Sequence, residues 1–472
     1  MGSDKRYLDI DRDFQKITNT QCDSYTLILG IICGSIPQIT PLLLDIFKLK
    51  ELSYIENIEL YLLANGESKS DIKRRINEFV FDKSILIHII EQDRKPHLLL
   101  PIGQARSLLQ MEVGKRMGNV KGSIAWIIDD DMRIPDIANA YLSWLPVLRQ
   151  SKKADILIGC FDGGSPNPPA HGLRVQINDL LHNLKWLETL NQSDALPDRT
   201  KENKQFRERF PDYYYDLSRQ HSKHITLPYW VIPRHETETV LEVRDRILKN
   251  LTKILTGEPF LRPLLSFIPE DPIKALKPSC NRGGNTFIFN PKALTSTPNS
   301  VLLSNGKENR RSDMIWAIVN SYYHLLNVYS VPFPIYHNRY INVRTKFQLK
   351  KTVAEVKGSS MYAALLSFFE EKTRDWVFTS SDYSIIIDSY NSYINIRLEK
   401  YKENFSAVNL LLDELERDYA SSHQELSSFI GITRAWVQES NLGQIKEACF
   451  SQSDAEIVDF ISSLIKQSGV PS

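Results

Sequence analysis

The chain has 472 residues, 42% of them hydrophobic and 24% charged, with a formal net charge of +1. That length exceeds one ordinary core and points to two domains, or to one large domain with an appendage. The near-neutral balance does not indicate a basic surface for nucleic acid, and no run approaches the ~20 apolar residues of a membrane-spanning helix.

Five scattered cysteines, Cys22, Cys33, Cys160, Cys280 and Cys449, lack the spacing of a zinc knuckle or a redox pair. The start MGSDKRYLDIDRDF is too polar for a signal peptide, and Arg6 stands where an N-myristoylation motif wants Ser or Thr. A reduced, cytoplasmic setting is the expectation. Residues 1–24 read as an N-terminal extension. The apolar run YTLILGIIC (25–33) predicts a strand, closed by Gly34, Ser35 and Pro37, and residues 39–50 predict a helix. A second strand, 58–64, closes at Asn65-Gly66 and is followed by a helix over 69–79. A third strand spans 84–90, a helix 103–117, and a fourth strand, 123–128, runs into Asp129-Asp130-Asp131. Residues 154–161 predict another strand. Strands apolar on both faces and spaced by helices imply a parallel sheet covered on both sides, with ligands bound outside the carboxyl ends of the strands.

The stretch 163–172 (GGSPNPPAHG) is turn-rich and is read as a mobile loop, and 173–277 as a mostly helical, polar insertion. A short strand (TFIF) follows Gly283-Gly284-Asn285, a helix is predicted over 313–326, and residues 328–335 form a strand that Pro332 and Pro334 assign to an edge. Beyond about residue 346 helices dominate, so 346–472 is read as a helical C-terminal domain following a catalytic domain over 25–345. Its segments MYAALLSFF and SAVNLLLDEL are read first as that domain's own core, with a homodimer through these helices as the alternative.

The chemistry starts from the three aspartates. Alternate residues of an extended segment face the same way, so Asp129 and Asp131 can serve one site, and oxygen ligands of this kind suit Mn²⁺ or Mg²⁺. A single Asp could cap a helix opening near Ile134; three in a row after an apolar strand point instead to a metal.

The order of these features resembles the GT-A glycosyltransferases, in particular the large inverting family two. The resemblance rests on ICGSIPQI after the first strand, Asn65-Gly66-Glu67-Ser68 after the second, the helix start Gly103-x-Ala105-Arg106, the pair Asp129 and Asp131, the turn Gly283-Gly284-Asn285, the helix opening RRSDMIWAI and the YHNR segment with His337. It covers about residues 25–345. It implies a mostly parallel α/β sheet flanked by helices and a donor site for a UDP- or GDP-sugar over Cys33, Gly34, Asn65 and Gly66. In that reading Arg106 pairs with the diphosphate, Gly283 and Gly284 pass close to the sugar, and Asp129 or Asp130 meets the ribose. Asp129, Asp131 and His337 are the implied metal ligands, and Asp313 is the general base for transfer with inversion to an acceptor the sequence does not reveal. Ser312 replaces the Glu that usually precedes that Asp, and Asn65 replaces an acidic residue. Two other readings compete: a sugar nucleotidyltransferase, which would need a Gly-rich basic signature that ICGSIPQITP lacks, and an inactive scaffold working through its C-terminal helices.

Overall fold

The structure, a computed structural model, describes residues 24–78, 85–91, 99–163, 170–209, 220–227, 229–232, 235, 237–256, 260–261, 271–280, 284–304, 306–337, 347–373, 376–419, 421 and 423–466. Strand β1 (Tyr25–Cys33) is buried along its whole length, which requires cover on both faces of its sheet. Helix α1 (Ile36–Lys48) accepts Pro37 in its first turn, where a missing N–H costs nothing, and so begins earlier than the apolar periodicity alone suggests. Strand β2 (Ile55–Ala64), helix α2 (Lys69–Glu78), strand β3 (Ile85–Ile90), helix α3 (Ile102–Asn119) and strand β4 (Ile124–Asp129) complete the first half. A two-residue strand β5 (Met132–Arg133), helix α4 (Ala138–Lys152) and strand β6 (Ile156–Gly163) follow. Further on come helix α5 (Ala170–Glu188), helix α6 (Thr200–Arg209), helix α7 (Val240–Lys249), strand β7 (Lys277–Pro278) and strand β8 (Asn285–Ile288). The short strands β9 (Leu303–Ser304) and β10 (Lys307–Glu308) precede helix α8 (Ser312–Ile318) and strand β11 (Val328–His337).

The central sheet runs β3-β2-β1-β4-β8-β6-β11-β5, with β7 also paired to β11. Strands β3, β2, β1 and β4 are mutually parallel, β8 is antiparallel between β4 and β6, and β11 is parallel to β6. Alternation along β1 divides the core. Leu27, Leu29 and Ile31 pack with α1 and α4, whereas Ile28 and Ile32 pack with Ala105, Leu109 and Val113 of α3. The second cluster continues without interruption from the sheet through α8 into the C-terminal helices α9 (Leu349–Glu370), α10 (Ser380–Tyr419), α11 (Gln424–Gln438), α12 (Leu442–Phe450) and α13 (Asp454–Lys466).

Three elements differ from the sequence expectation. The helix expected over 313–326 is α-helical only to Ile318, then becomes a π-helical turn, Val319–Tyr323. There the buried Asn320 amide bonds the Trp316 carbonyl at 3.0 Å, and Leu325 takes a φ of 55°. Strand β11 pairs with β6 over Val328–Ser330 and Pro334–His337 and, among the described residues, carries only the two-residue β5 and β7 on its other side, with a register shift between Ser330 and Pro334 that accommodates its prolines. In the C-terminal region, the segment SAVNLLLDEL is not an element of its own but the latter part of one helix, α10, of 40 residues. Most of the turn-rich stretch 163–172 lies outside the described residues, and its last three open α5. Among the described residues no helix is long and apolar enough to cross a membrane.

Candidate active site at the carboxyl ends of the strands

The parallel strands deliver their last residues to one rim of the sheet. Asn65 donates its backbone N–H to the Cys33 carbonyl at 3.0 Å, so the turns after β1 and β2 lie against each other. Gly66 adopts a φ of 132°, and a Cβ there would sit 2.7 Å from the Gly34 carbonyl oxygen, which only glycine avoids. The Asn65 side-chain amide clasps Leu100 in both directions, accepting from its N–H at 2.7 Å and donating to its carbonyl at 3.2 Å. Its two polar atoms are therefore spent on the segment that leads into α3. The Cys33 thiol is pushed up to about 12 by burial and then by the Asp130 and Glu67 carboxylates, so it stays protonated and is no nucleophile at neutral pH.

The three aspartates take three different partners. Asp129 receives both of its bonds from one nitrogen of Arg106, Nη2 to Oδ1 at 2.9 Å and to Oδ2 at 3.2 Å. Asp130 turns towards α1: its Oδ2 accepts the Gly34 N–H at 2.8 Å and its Oδ1 accepts from Gln38 Nε2 at 3.1 Å. With Glu67, which accepts the Ile36 N–H at 3.1 Å, it satisfies N–H groups at the start of a helix whose Ser35 makes no side-chain cap. Burial raises the Asp130 carboxyl to about 7, the Gly34 bond opposing and the neighbouring Asp131 and Asp129 adding to the rise. Asp131 meets His337, with Oδ2 and Nε2 2.7 Å apart; the two side chains are 14% and 8% exposed. Pairing of β5 with the end of β11, His337 opposite Met132, makes this meeting possible across 206 residues. Helix α4 begins only at Ala138, so the aspartates do not cap it. Instead the chain beyond them is pinned to α1, Arg133 pairing with the buried Asp45 at 2.6 and 2.8 Å while the Ile134 N–H bonds the same carboxylate at 3.0 Å.

Arg106 joins this rim to α8. Its Nη1 donates to Ser312 Oγ at 3.3 Å. Burial alone would lower its pKa, but Asp129, Asp313 and Glu308 outweigh that and hold the guanidinium above its ordinary value. Glu308, which sequence reasoning missed, accepts the Ile102 and Gly103 N–H groups at 2.7 and 3.0 Å and thereby caps the helix that carries Arg106. Nothing local in KENRR marks it, because its partners are about 200 positions earlier. Asp313 is half-buried in the first turn of α8, and its Oδ1 accepts the Met314 N–H at 3.0 Å. Gly284 takes a φ of 85°, and Gly283 lies outside the described residues. The following Asn285 is fully buried. Its Oδ1 accepts from Trp126 Nε1 at 2.9 Å and its Nδ2 donates to the Cys160 and Phe333 carbonyls at 3.1 and 3.0 Å, tying β8 to the strands around it.

Of the three expected metal ligands, the structure brings Asp131 and His337 together, hydrogen-bonded at 2.7 Å. Ligand atoms held ~2.1 Å from one ion lie about 3 Å apart, close to the 2.7 Å between Asp131 and His337. Among the described residues no group of three or more His, Cys, Asp or Glu side chains could hold a metal, and Asp129 is engaged with Arg106. Mg²⁺ and Mn²⁺ tolerate such a sparse protein set, since water and substrate phosphates complete their shells.

No protein-family model matches the chain, and no curated protein matches it. Among solved structures it is similar to a mannosyltransferase from Pyrobaculum calidifontis in complex with GDP-Man and Mn²⁺, at 8% identity over 97% of this chain and 94% of that one, with a TM-score of 0.36. At that TM-score the likeness bears on neither fold nor function.

Proposed function

We propose that the chain is a GT-A-like, nucleotide-sugar-dependent glycosyltransferase that uses Mn²⁺ or Mg²⁺ and transfers with inversion. The observation that carries the reading is the meeting of Asp131 with His337 beside the Asp129–Arg106–Ser312 connection, at the rim where an α/β sheet binds its ligands. Asp131 and His337 would hold the ion, which when bound supplies Lewis-acid stabilisation of the departing diphosphate. Arg106, already fixed by Asp129, would turn part of its guanidinium to the diphosphate oxygens, a planar donor set suited to them. The turns at Gly34 and Gly66 would border the nucleotide, and Gly284 the sugar. Asp313 would accept the proton of the acceptor hydroxyl as its oxygen bonds the anomeric carbon and the bond from that carbon to the diphosphate oxygen breaks.

The test is to incubate the protein with Mn²⁺ and a panel of UDP- and GDP-sugars and to follow the nucleoside diphosphate released. Release that stops on chelation supports the reading. Pyrophosphate released from a nucleoside triphosphate and a sugar phosphate would make the protein a nucleotidyltransferase, and silence in both assays would leave the scaffold reading.

A further inference from the structure

Asp313 is aimed by a turn that the sheet does not build. The residue before α8, Arg311, has a φ of 79°, a left-handed conformation that a non-glycine side chain adopts only under constraint. The constraint comes from α9, in the C-terminal region. Glu355 on that helix pairs with the Arg311 guanidinium, and its other oxygen lies 3.4 Å from Arg310 Nη1. The Arg310 N–H donates to the Ala354 carbonyl at 3.2 Å. One turn along the same face, Gly358 leaves room for the Arg310 backbone: a Cβ there would lie 2.2 Å from the Arg310 carbonyl oxygen and 2.8 Å from its nitrogen. The Glu355 side chain is only 6% exposed. Burial works against its charge, but Arg311, Arg310 and Arg397 prevail and keep its carboxyl below the usual range. Ala354, Glu355 and Gly358 thus grip residues 310 and 311 from one side, while Arg106 holds Ser312 from the other.

We propose that Glu355 is a positioning residue for the transfer reaction, setting the place of Asp313 through the strained Arg310–Arg311 turn, so that the C-terminal helices belong to the catalytic apparatus. This rests on the reading of Asp313 as the base. It asks of Glu355 only that the turn be held; the residue itself touches no substrate. Misplacing a base by an ångström can cost about 100-fold in rate without weakening donor binding.

Steady-state kinetics per folded molecule test it, with donor affinity measured in parallel. Gly358→Ala, which pushes on the turn without altering charge, should lower kcat at least tenfold and leave donor KM within about twofold. Arg311→Gly relieves the left-handed strain but removes the tether and leaves the buried Glu355 with a weaker partner in Arg310, so it should lose some stability and, per folded molecule, lose kcat. Arg311→Lys, which keeps a cation opposite Glu355, should retain more turnover than Arg311→Gln. If Glu355→Gln fails to fold, these variants carry the test without it. Parental kcat in both Gly358→Ala and Arg311→Gly overturns the proposal while leaving the glycosyltransferase reading standing. A parent protein that consumes no sugar nucleotide removes that reading, and this one with it.

Discussion

The sheet and the helical wall behind it are held together by different means. In β1, β2 and β4 the buried residues are apolar apart from Thr26 and Glu59, the latter paired in mid-strand with Arg116 of α3 at 2.6 and 2.7 Å, and the other polar groups gather at the strand ends, where they form the candidate site. In the helical wall, polar side chains are buried in the middle of elements. Asn183 of α5 donates to the Trp230 carbonyl at 2.8 Å and accepts the Ile232 N–H at 2.8 Å. Asp179 accepts the Trp230 N–H at 3.1 Å, and Asn203 clasps Val231 in both directions at 3.0 and 2.7 Å. Arg174 reaches Asn404 of α10 at 2.6 Å. The extended segment around 230 is therefore held by side-chain amides where a sheet would have used a neighbouring strand. The lesson is that apolar periodicity builds the rim, and sparse long-range polar bonds decide how the helices are set against it.

Several substitutions would break or sharpen that contrast. The largest effect belongs to the rim. Asp313→Asn should lower turnover about 100-fold or more while nucleoside diphosphate binding is unchanged, as calorimetry alongside kinetics would read. Undiminished turnover would take Asp313 out of the mechanism. Next comes the sheet core: Leu29→Ala, at a fully buried site, should cost about 3 kcal/mol by chemical denaturation, the usual size for a cavity there. In the helical wall, Asn183→Ala should cost about 2 kcal/mol through the backbone groups it leaves unsatisfied, and Asn183→Leu should fare no better. A leucine that restored stability would mean that volume, and not the clasp, matters at that position.

The smallest effect is at the start of α10. The Asp382 carboxylate accepts the Thr379 N–H at 2.7 Å and pairs with Lys372 at 3.0 Å. Burial opposes its charge, yet those bonds prevail and lower its pKa. A depressed carboxyl contributes stability above its unfolded value near 4 and loses that contribution as the pH falls through its folded value. Asp382→Asn should thus be destabilised by about 1 kcal/mol at pH 7, with the gap to the parent closing below about pH 4. A gap that stays constant with pH would assign the loss to shape instead of charge.

How much of this was legible in the sequence follows the same division. Runs such as YTLILGIIC and IELYLLA announce buried strands by composition alone, and Asp129 to Asp131 stand out because three acids end one of them. The pairing of Asp131 with His337 was expected only as joint ligation, and the structure brings the two together. The separate employment of Asp130 on α1 and of Asn65 on Leu100 was not visible, because each depends on which backbone groups a turn leaves open. Glu308 and Glu355 were missed for a related reason. Each looks like a surface acid, and each finds its partners only after the chain has folded back over tens to hundreds of residues. The length of the 40-residue α10 was not legible because its buried stripe includes Arg397, Lys400 and Asn404, which interrupt the apolar pattern without interrupting the helix.

The most direct test is calorimetric titration of UDP and GDP into the protein with and without Mn²⁺, repeated on Asp131→Ala. The account predicts that at least one nucleotide binds the parent only when Mn²⁺ is present, and that the substitution weakens this binding at least tenfold. Binding indifferent to the metal and to Asp131, or no binding of either nucleotide, would contradict it.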